Sequence, residues 1–278
     1  LQILRREAQR LGHDSNFSVY DTGDTRALLK RLLREAGAED ADIKPSQAAA
    51  IISNAKNELK DADDFARNAD RSNPRERLVA EVFQAYTSEL RRNNAFDFDD
   101  LIGQTVYLFR AFPAVAAKYQ TRFRHVLVDE YQDTNHAQFV IASLLAGNGP
   151  EGGIGPNICV VGDPDQAIYS WRGADIANIL EFEERYPNAA VITLGENFRS
   201  TAPILAAADT LSRNNKQRKH KDLFTSADTG EQARVVTCRD ERHEAEIVTD
   251  WIRDLIQASA DHDKPLTWND AAVFYRTN

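Results

Sequence analysis

"VLVDEYQDTN", residues 126–135, sets three apolar β-forming residues directly against a polar run. Val126, Leu127 and Val128 read as a buried strand, and the carboxylates of Asp129 and Glu130 follow side by side at its end. One reading is a strand that simply stops in acidic residues, as many do. The other is chemical. A carboxylate at a strand tip can hold Mg2+, a hard cation that takes oxygen ligands, directly or through water. A second carboxylate beside it can orient or deprotonate an attacking water. Nucleotide hydrolysis uses both parts, because phosphoryl transfer is catalysed mostly by positioning and charge neutralisation.

The surroundings of this stretch define the fold class. After residue 97 short apolar runs alternate with helical patterns: "HVLVD" (125–129), "ICVVGD" (158–163), "AVITL" (190–194), "ARVVTC" (233–238) and "AAVFY" (271–275). Runs apolar on both faces, with helices between them, predict an α/β fold with a parallel sheet covered on both sides. Ligands of such sheets bind beyond the carboxyl ends of the strands, where both the acidic pair and "GDPDQ" fall.

Before residue 97 the pattern is helical. Leu28, Leu29, Leu32, Leu33 and Ala36 share a face, and Gly37 is placed to end that helix. Pro45 suits the first turn of the next, with Ile51, Ile52, Ala55 and Leu59 inward; Asn73-Pro74 opens a third. Residues 60–73 between them read as a polar, solvated connection.

Bulk properties exclude several classes. The 278 residues allow two domains, and 42% hydrophobic content is that of a globular protein. No apolar run approaches the roughly 20 residues that span a bilayer, so no membrane partner is expected. No basic-then-apolar leader is present. Cys159 and Cys238 sit in strand-like runs as small hydrophobes, which predicts a reducing, cytoplasmic setting. A net charge of −9 argues against a uniformly basic nucleic-acid coat but leaves room for a local basic track, and "KQRKHK" (216–221) reads either as such a track or as a solvated loop. The chain has no methionine, even at position 1, which predicts that residue 1 is not a biological start.

Two further segments carry chemistry. In "VVGDPDQAIYSWRGAD" (160–175) the Gln166 amide follows a strand end at Gly162-Asp163, where it could reach a terminal phosphate. Tyr169, Trp171 and Arg172 come next in a polar, glycine-flanked loop, and exposed rings give bases a stacking surface. In "LGENFRSTAPIL" (194–205) Arg199 follows an aromatic and precedes a Ser-Thr helix cap. It suits either a surface ion pair or a charge reaching a transferred phosphoryl group.

"VDEYQDTN", "VVGDPDQAIYSWRGA" and "ENFRST", in that order and preceded by "DFDDLI" (97–102), resemble the UvrD, PcrA and Rep family of superfamily 1 DNA helicases, over nearly the whole chain to "VFYRTN". The resemblance implies a RecA-like parallel sheet of the P-loop NTPase type, with an all-helical insertion and the start of a second RecA-like domain. It implies residues 1–14 as the end of the first section of RecA-like domain 1 and 15–96 as the helical insertion. Residues 97–196 would continue domain 1, and 197–278 would begin domain 2. The implied cofactors are ATP and Mg2+, and the implied activity is ATP-driven 3′-to-5′ unwinding of DNA in repair or replication. Asp129 would hold the metal, Glu130 would be the base for the hydrolytic water, and Gln132 and Asp133 complete that motif. Gln166 would sense the γ-phosphate. Arg199 would contact it, and Phe198 would stack on adenine where the family often has tyrosine. Phe98, Tyr169, Trp171, Arg172, Arg276 and Asn278 would meet DNA. Partners would be single-stranded and junction DNA, with possible repair or replication accessory proteins.

The sequence departs from the family in having no GxxxxGK[ST] loop to cradle the β- and γ-phosphates. This predicts an internal piece of a longer helicase, inactive by itself. The same gap supports an alternative, a non-catalytic DNA- or partner-binding module descended from helicases. An unrelated α/β hydrolase using Asp129 and Glu130 would leave the order of Gln166, Trp171 and Arg199 unexplained.

Overall fold

The computed structural model describes residues 1–37, 43–70, 72–147, 157–219, 221–227 and 230–275. These form two compact units: Leu1–Leu194 with Ser212–Lys221, and Gly195–Leu211 with Asp222–Asn278.

The first unit opens with α1 (Gln2–Glu7), a 3-10 turn at Ala8–Leu11 and the short strand β1 (Ser18–Tyr20). Helices α2 (Thr22–Glu35), α3 (Pro45–Asn57), α4 (Ala62–Asn68) and α5 (Pro74–Arg92) follow. The chain then returns as β2 (Ala95–Asp97), which pairs parallel to β1 with Val19 opposite Phe96. The helical block is thus a loop-out closed by two adjacent strands. Its boundaries are locally encoded. Asp21 and Asp24 cap each other's backbone N–H groups at 2.9 and 3.1 Å to start α2, and Gly37, at φ +69°, follows its end. Asn73 accepts the Arg75 N–H at 3.1 Å with Pro74 in the first turn of α5. Leu29, Phe83 and Tyr86 are fully buried at the centre of this block.

Two expectations for this region change. Residues 60–73 are not merely a solvated connection. Asp61 caps α4 by accepting the Asp64 N–H at 2.7 Å, and Phe65 of α4 meets Phe83 edge-on at 5.9 Å. The strand pair β1–β2 also lay hidden in a stretch read as helical, since a three-residue strand is too short to show period-two alternation.

Beyond β2 come α6 (Phe98–Ala111), α7 (Pro113–Arg122), β3 (Val126–Val128), α8 (His136–Ala146) and β4 (Ile158–Val160). The short helices α9 (Ala177–Leu180) and α10 (Phe182–Arg185) complete the layer. Strands β3 and β4 pair parallel, Leu127 opposite Cys159. Val106, Tyr131, Phe139, Val140, Ile179 and Phe182 form the core on one side of them.

The other side corrects the doubly covered sheet. Leu127 is 76% exposed and Cys159 is exposed, so the pair is packed on one face only, and neither cysteine is a fully buried hydrophobe. Nor do 190–194, 233–238 and 271–275 form strands. Ile192, Val235 and Phe274 are 79%, 98% and 94% exposed, because these β-prone runs have no ladder partner among the described residues.

In the second unit Glu196 bridges Phe224 in parallel fashion, and α11 (Ala202–Ser212) and α12 (Glu241–Ala258) supply the helices. The described chain is therefore mixed α/β with small parallel sheets. No helix among the described residues is long and apolar enough to cross a membrane.

Candidate functional site

The parallel pairing of β3 and β4 puts the turns after both strands at one edge. The Val161 N–H donates to the Val128 carbonyl at 2.8 Å, and the Tyr131 N–H donates back to the Val161 carbonyl at 2.9 Å. Between these bonds the chain reverses at Glu130, which takes the left-handed conformation at φ +49°. Such a backbone is unusual for a non-glycine residue and is worth about 1–3 kcal/mol of local strain. The Glu130 N–H donates to Oδ1 of Asp129 at 2.9 Å, so the turn backbone fixes the Asp129 carboxylate, and both residues are exposed.

Gln132 joins this turn to the next one. Only 1% exposed, it donates from Nε2 to Glu130 Oε2 at 2.8 Å, and its Oε1 accepts the Asp163 N–H at 3.0 Å. Gly162 is required for that approach: a Cβ there would stand 2.5 Å from Gln132 Oε1 and 2.8 Å from Ile179 Cδ1. Gln166 is exposed and donates to Asp163 Oδ2 at 2.8 Å. Asp129, Glu130, Gln132, Asp163 and Gln166 are thereby gathered at one sheet edge.

Asp163 is held by a segment whose role the sequence left open. Lys221 pairs with it, while Arg218 pairs with Asp165 at 3.1 Å and Asn215 donates to Asp165 at 3.0 Å. Burial works against the Asp163 charge, but the Lys221 ammonium and the Gln166 amide outweigh it and hold this carboxyl below its usual range. Part of "KQRKHK" is therefore neither a free track nor a solvated loop, but the counter-charge of "GDPDQ". Asp133 differs: its Oδ1 is buried without a hydrogen-bond partner, and burial, then the nearby Glu130, raises its pKa.

The aromatic candidates are displayed rather than packed. Tyr169 and Trp171 are 36% and 69% exposed with ring centroids 6.3 Å apart, and Arg172 closes the 3-10 turn Ser170–Arg172. Phe98, in the first turn of α6, is 58% exposed. The acids around it point inward. Lys56 of α3, buried, contacts Asp97 at 2.7 Å and Asp100 at 2.8 Å, and the Tyr86 hydroxyl donates to Asp97 at 2.9 Å. Burial pushes Asp100 up to about 6 against the pull of Lys56; for Asp97 the Lys56 charge and the hydrogen bonds overcome burial and lower its pKa. Burial raises the Asp99 pKa against the opposing pull of Ser53 and Asn57 of α3, and Asn57 Oδ1 accepts from Asn135 Nδ2 at 2.9 Å. The last turn of α3 thus fastens both "DFDD" and the end of "DEYQDTN".

Lys56, Asn57, Arg218 and Lys221 were not singled out individually from the sequence. The available signal was the excess of acids in "DFDD" and "GDPDQ", which demands counter-charges when partly buried.

Arg199 and Phe198 belong to the second unit. Asn197 Oδ1 accepts the N–H groups of Arg199 and Ser200 at 3.1 and 2.7 Å, and both Phe198 (81%) and Arg199 are exposed. Arg276 and Asn278 lie outside the described residues.

Mg2+ fits this edge in one way only. No group of three or more His, Cys, Asp or Glu side chains among the described residues could cage a metal. An exposed Asp129 with one oxygen engaged by its neighbour suits an ion held mainly by phosphates and water, as Mg2+ usually is.

Comparison with known proteins agrees with these motifs. The UvrD/REP helicase N-terminal domain matches residues 1–187, and the UvrD-like helicase C-terminal domain matches 192–278. The "ATP-dependent DNA helicase UvrD1" of Mycobacterium tuberculosis is 46% identical over 281 aligned residues, covering 100% of this chain and 36% of that protein. The "ATP-dependent DNA helicase PcrA" of Staphylococcus aureus is 42% identical over 278 residues, again covering 100% and 36%. The chain spans about a third of the length of these curated relatives. Matched along nearly its whole length by both domains, the chain belongs to the UvrD/REP helicase family.

Proposed function

We propose that the chain is the central part of an ATP-dependent DNA helicase that moves 3′ to 5′ and unwinds duplex DNA in repair or replication. The observation that carries this reading is the Glu130–Gln132–Asp163 linkage, which ties the acidic turn after β3 to the glutamine-bearing turn after β4. In it, 1–14 and 97–196 are parts of one RecA-like domain, 15–96 the helical insertion and 197–278 the start of a second RecA-like domain.

Each residue then has a task. Asp129 holds Mg2+, which when bound neutralises charge on the phosphates. Glu130 takes the proton of the attacking water, kept in place by the Gln132 amide. Gln166 exchanges its Asp163 hydrogen bond for the terminal phosphate and so reports its presence to the loop of Tyr169, Trp171 and Arg172. Phe98 and Trp171 stack on bases of single-stranded DNA. Phe198 stacks on adenine and Arg199 steadies the charge on the transferred group; Arg276 and Asn278 meet the DNA backbone.

The 278-residue chain by itself is inactive in this account, for want of the phosphate-cradling loop. The test compares it with the product of the complete reading frame. DNA-stimulated ATP hydrolysis by the latter alone, with a Gly-Lys-Ser or Gly-Lys-Thr loop upstream, is the expected result. A frame without that loop would favour the non-catalytic binding module, and ATPase activity in the 278-residue chain would refute its inactivity.

A further inference from the structure

A cavity of about 640 Å³ lies in the first unit among the 3-10 turn after α1, the ends of α3 and α5, and one face of α6. None of Asp129, Glu130 or Gln166 lines it. Its volume falls within the range usual for small-molecule sites.

In a chain with net charge −9, the lining is conspicuously basic: Arg10, Lys60, Arg91 and Arg110 contribute cations, and His13 a titratable ring. The lining acids leave this charge uncancelled. Asp100 is engaged with buried Lys56, and Asp61 is turned to its helix cap. Arg10 and Lys60 are partnered by Glu7 and Glu58, but Arg91 and Arg110 have no ion-pair partner among the described residues. Phe96 and Val106 form an apolar floor, and Tyr107 stands 60% exposed beside it.

A second, independent observation comes from Gly103. It sits inside α6 and lines the cavity, with no positive φ to require glycine. A Cβ there would meet nothing within 4 Å, so internal packing does not explain it either. Glycine inside a helix is less stable than alanine, and a bare backbone there leaves room for a ligand to approach closely.

We propose that this cavity binds a phosphorylated nucleoside, as a free nucleotide or as one unit of a strand, with its phosphate at Arg91 and Arg110 and its base on the Tyr107 side. Unpaired guanidinium groups are suited to phosphate by their fork of donors, and an aromatic face beside an apolar floor is suited to a base.

The test uses the 278-residue chain and two probes, a fluorescein-labelled oligothymidylate and N-methylanthraniloyl-ADP, read by fluorescence anisotropy. The charge reversal R91E/R110E weakens at least one probe about tenfold or more. G103A weakens the same probe about threefold while the melting temperature stays level or rises, a combination that follows from the opposite effects of a methyl group on ligand space and helix stability. Loss confined to the oligonucleotide identifies a strand, with its salt slope reduced by about 0.7 per lost contact. Loss confined to the ADP probe identifies a free nucleotide, and loss of both a site open to either. The proposal is overturned if neither probe binds the wild-type chain at about 1 mM. It is equally overturned if R91E/R110E leaves both probes within twofold of wild type, or if G103A leaves untouched a probe that the charge reversal weakens. None of these outcomes depends on ATP hydrolysis, so the proposed helicase function stands or falls separately.

Discussion

The buried amide of Gln132 reaches the exposed carboxylate of Glu130 at 2.8 Å. Its oxygen is committed to the Asp163 N–H, so the amide is oriented and can only donate to Glu130. The acid nearest the proposed chemistry is therefore positioned from the neighbouring strand tip. Gln132→Ala leaves the Asp163 N–H without its acceptor and opens a buried gap, and is expected to cost about 1–3 kcal/mol in urea unfolding. In the full-length parent it also slows ATP hydrolysis with little change in nucleotide affinity.

Lys56 is the counter-ion of two buried carboxylates. Lys56→Met keeps the stem and removes the charge, stranding Asp97 and Asp100, and is expected to cost about 3–5 kcal/mol. The triple variant K56M/D97N/D100N, which removes all three of these charges, recovers most of that loss. A K56M chain as stable as wild type would show that the contact carries no weight.

The same cluster predicts a pH dependence. Burial raises Asp100 to about 6, above its value in the unfolded chain. Between those two values the folded state holds a proton that the unfolded state releases, so this group adds stability as pH falls from 7 toward 5 and loses it as pH rises through 6. His13, lowered mainly by burial, acts in the opposite sense over the same range, because the unfolded chain protonates first. Comparison of wild type with D100N cancels the histidine. The wild-type urea midpoint is expected to rise relative to D100N between pH 7 and pH 5; a constant difference would contradict the assignment.

What the sequence made legible follows how local each interaction is. The start of α5 at Asn73-Pro74 and the glycine after α2 were readable because caps involve neighbours in the chain. The β3 strand and its acidic tip were readable from one short run. The Lys56–Asp97 pair joins residues 41 apart, and nothing in either neighbourhood names the other. The same holds for Lys221 with Asp163, which lies behind a basic cluster whose composition suited two readings. Apolar runs such as 233–238 announce β propensity, but a strand exists only with a hydrogen-bonded neighbour, and Val235 has remained exposed.

The most direct measurement is DNA-stimulated ATP hydrolysis by the Glu130→Gln variant of the full-length parent. Glutamine can still meet the Gln132 amide but cannot accept a proton from water. A fall in kcat of about 100-fold or more is expected, with magnesium-nucleotide affinity within a few-fold of wild type. Hydrolysis by that variant at the wild-type rate would contradict it.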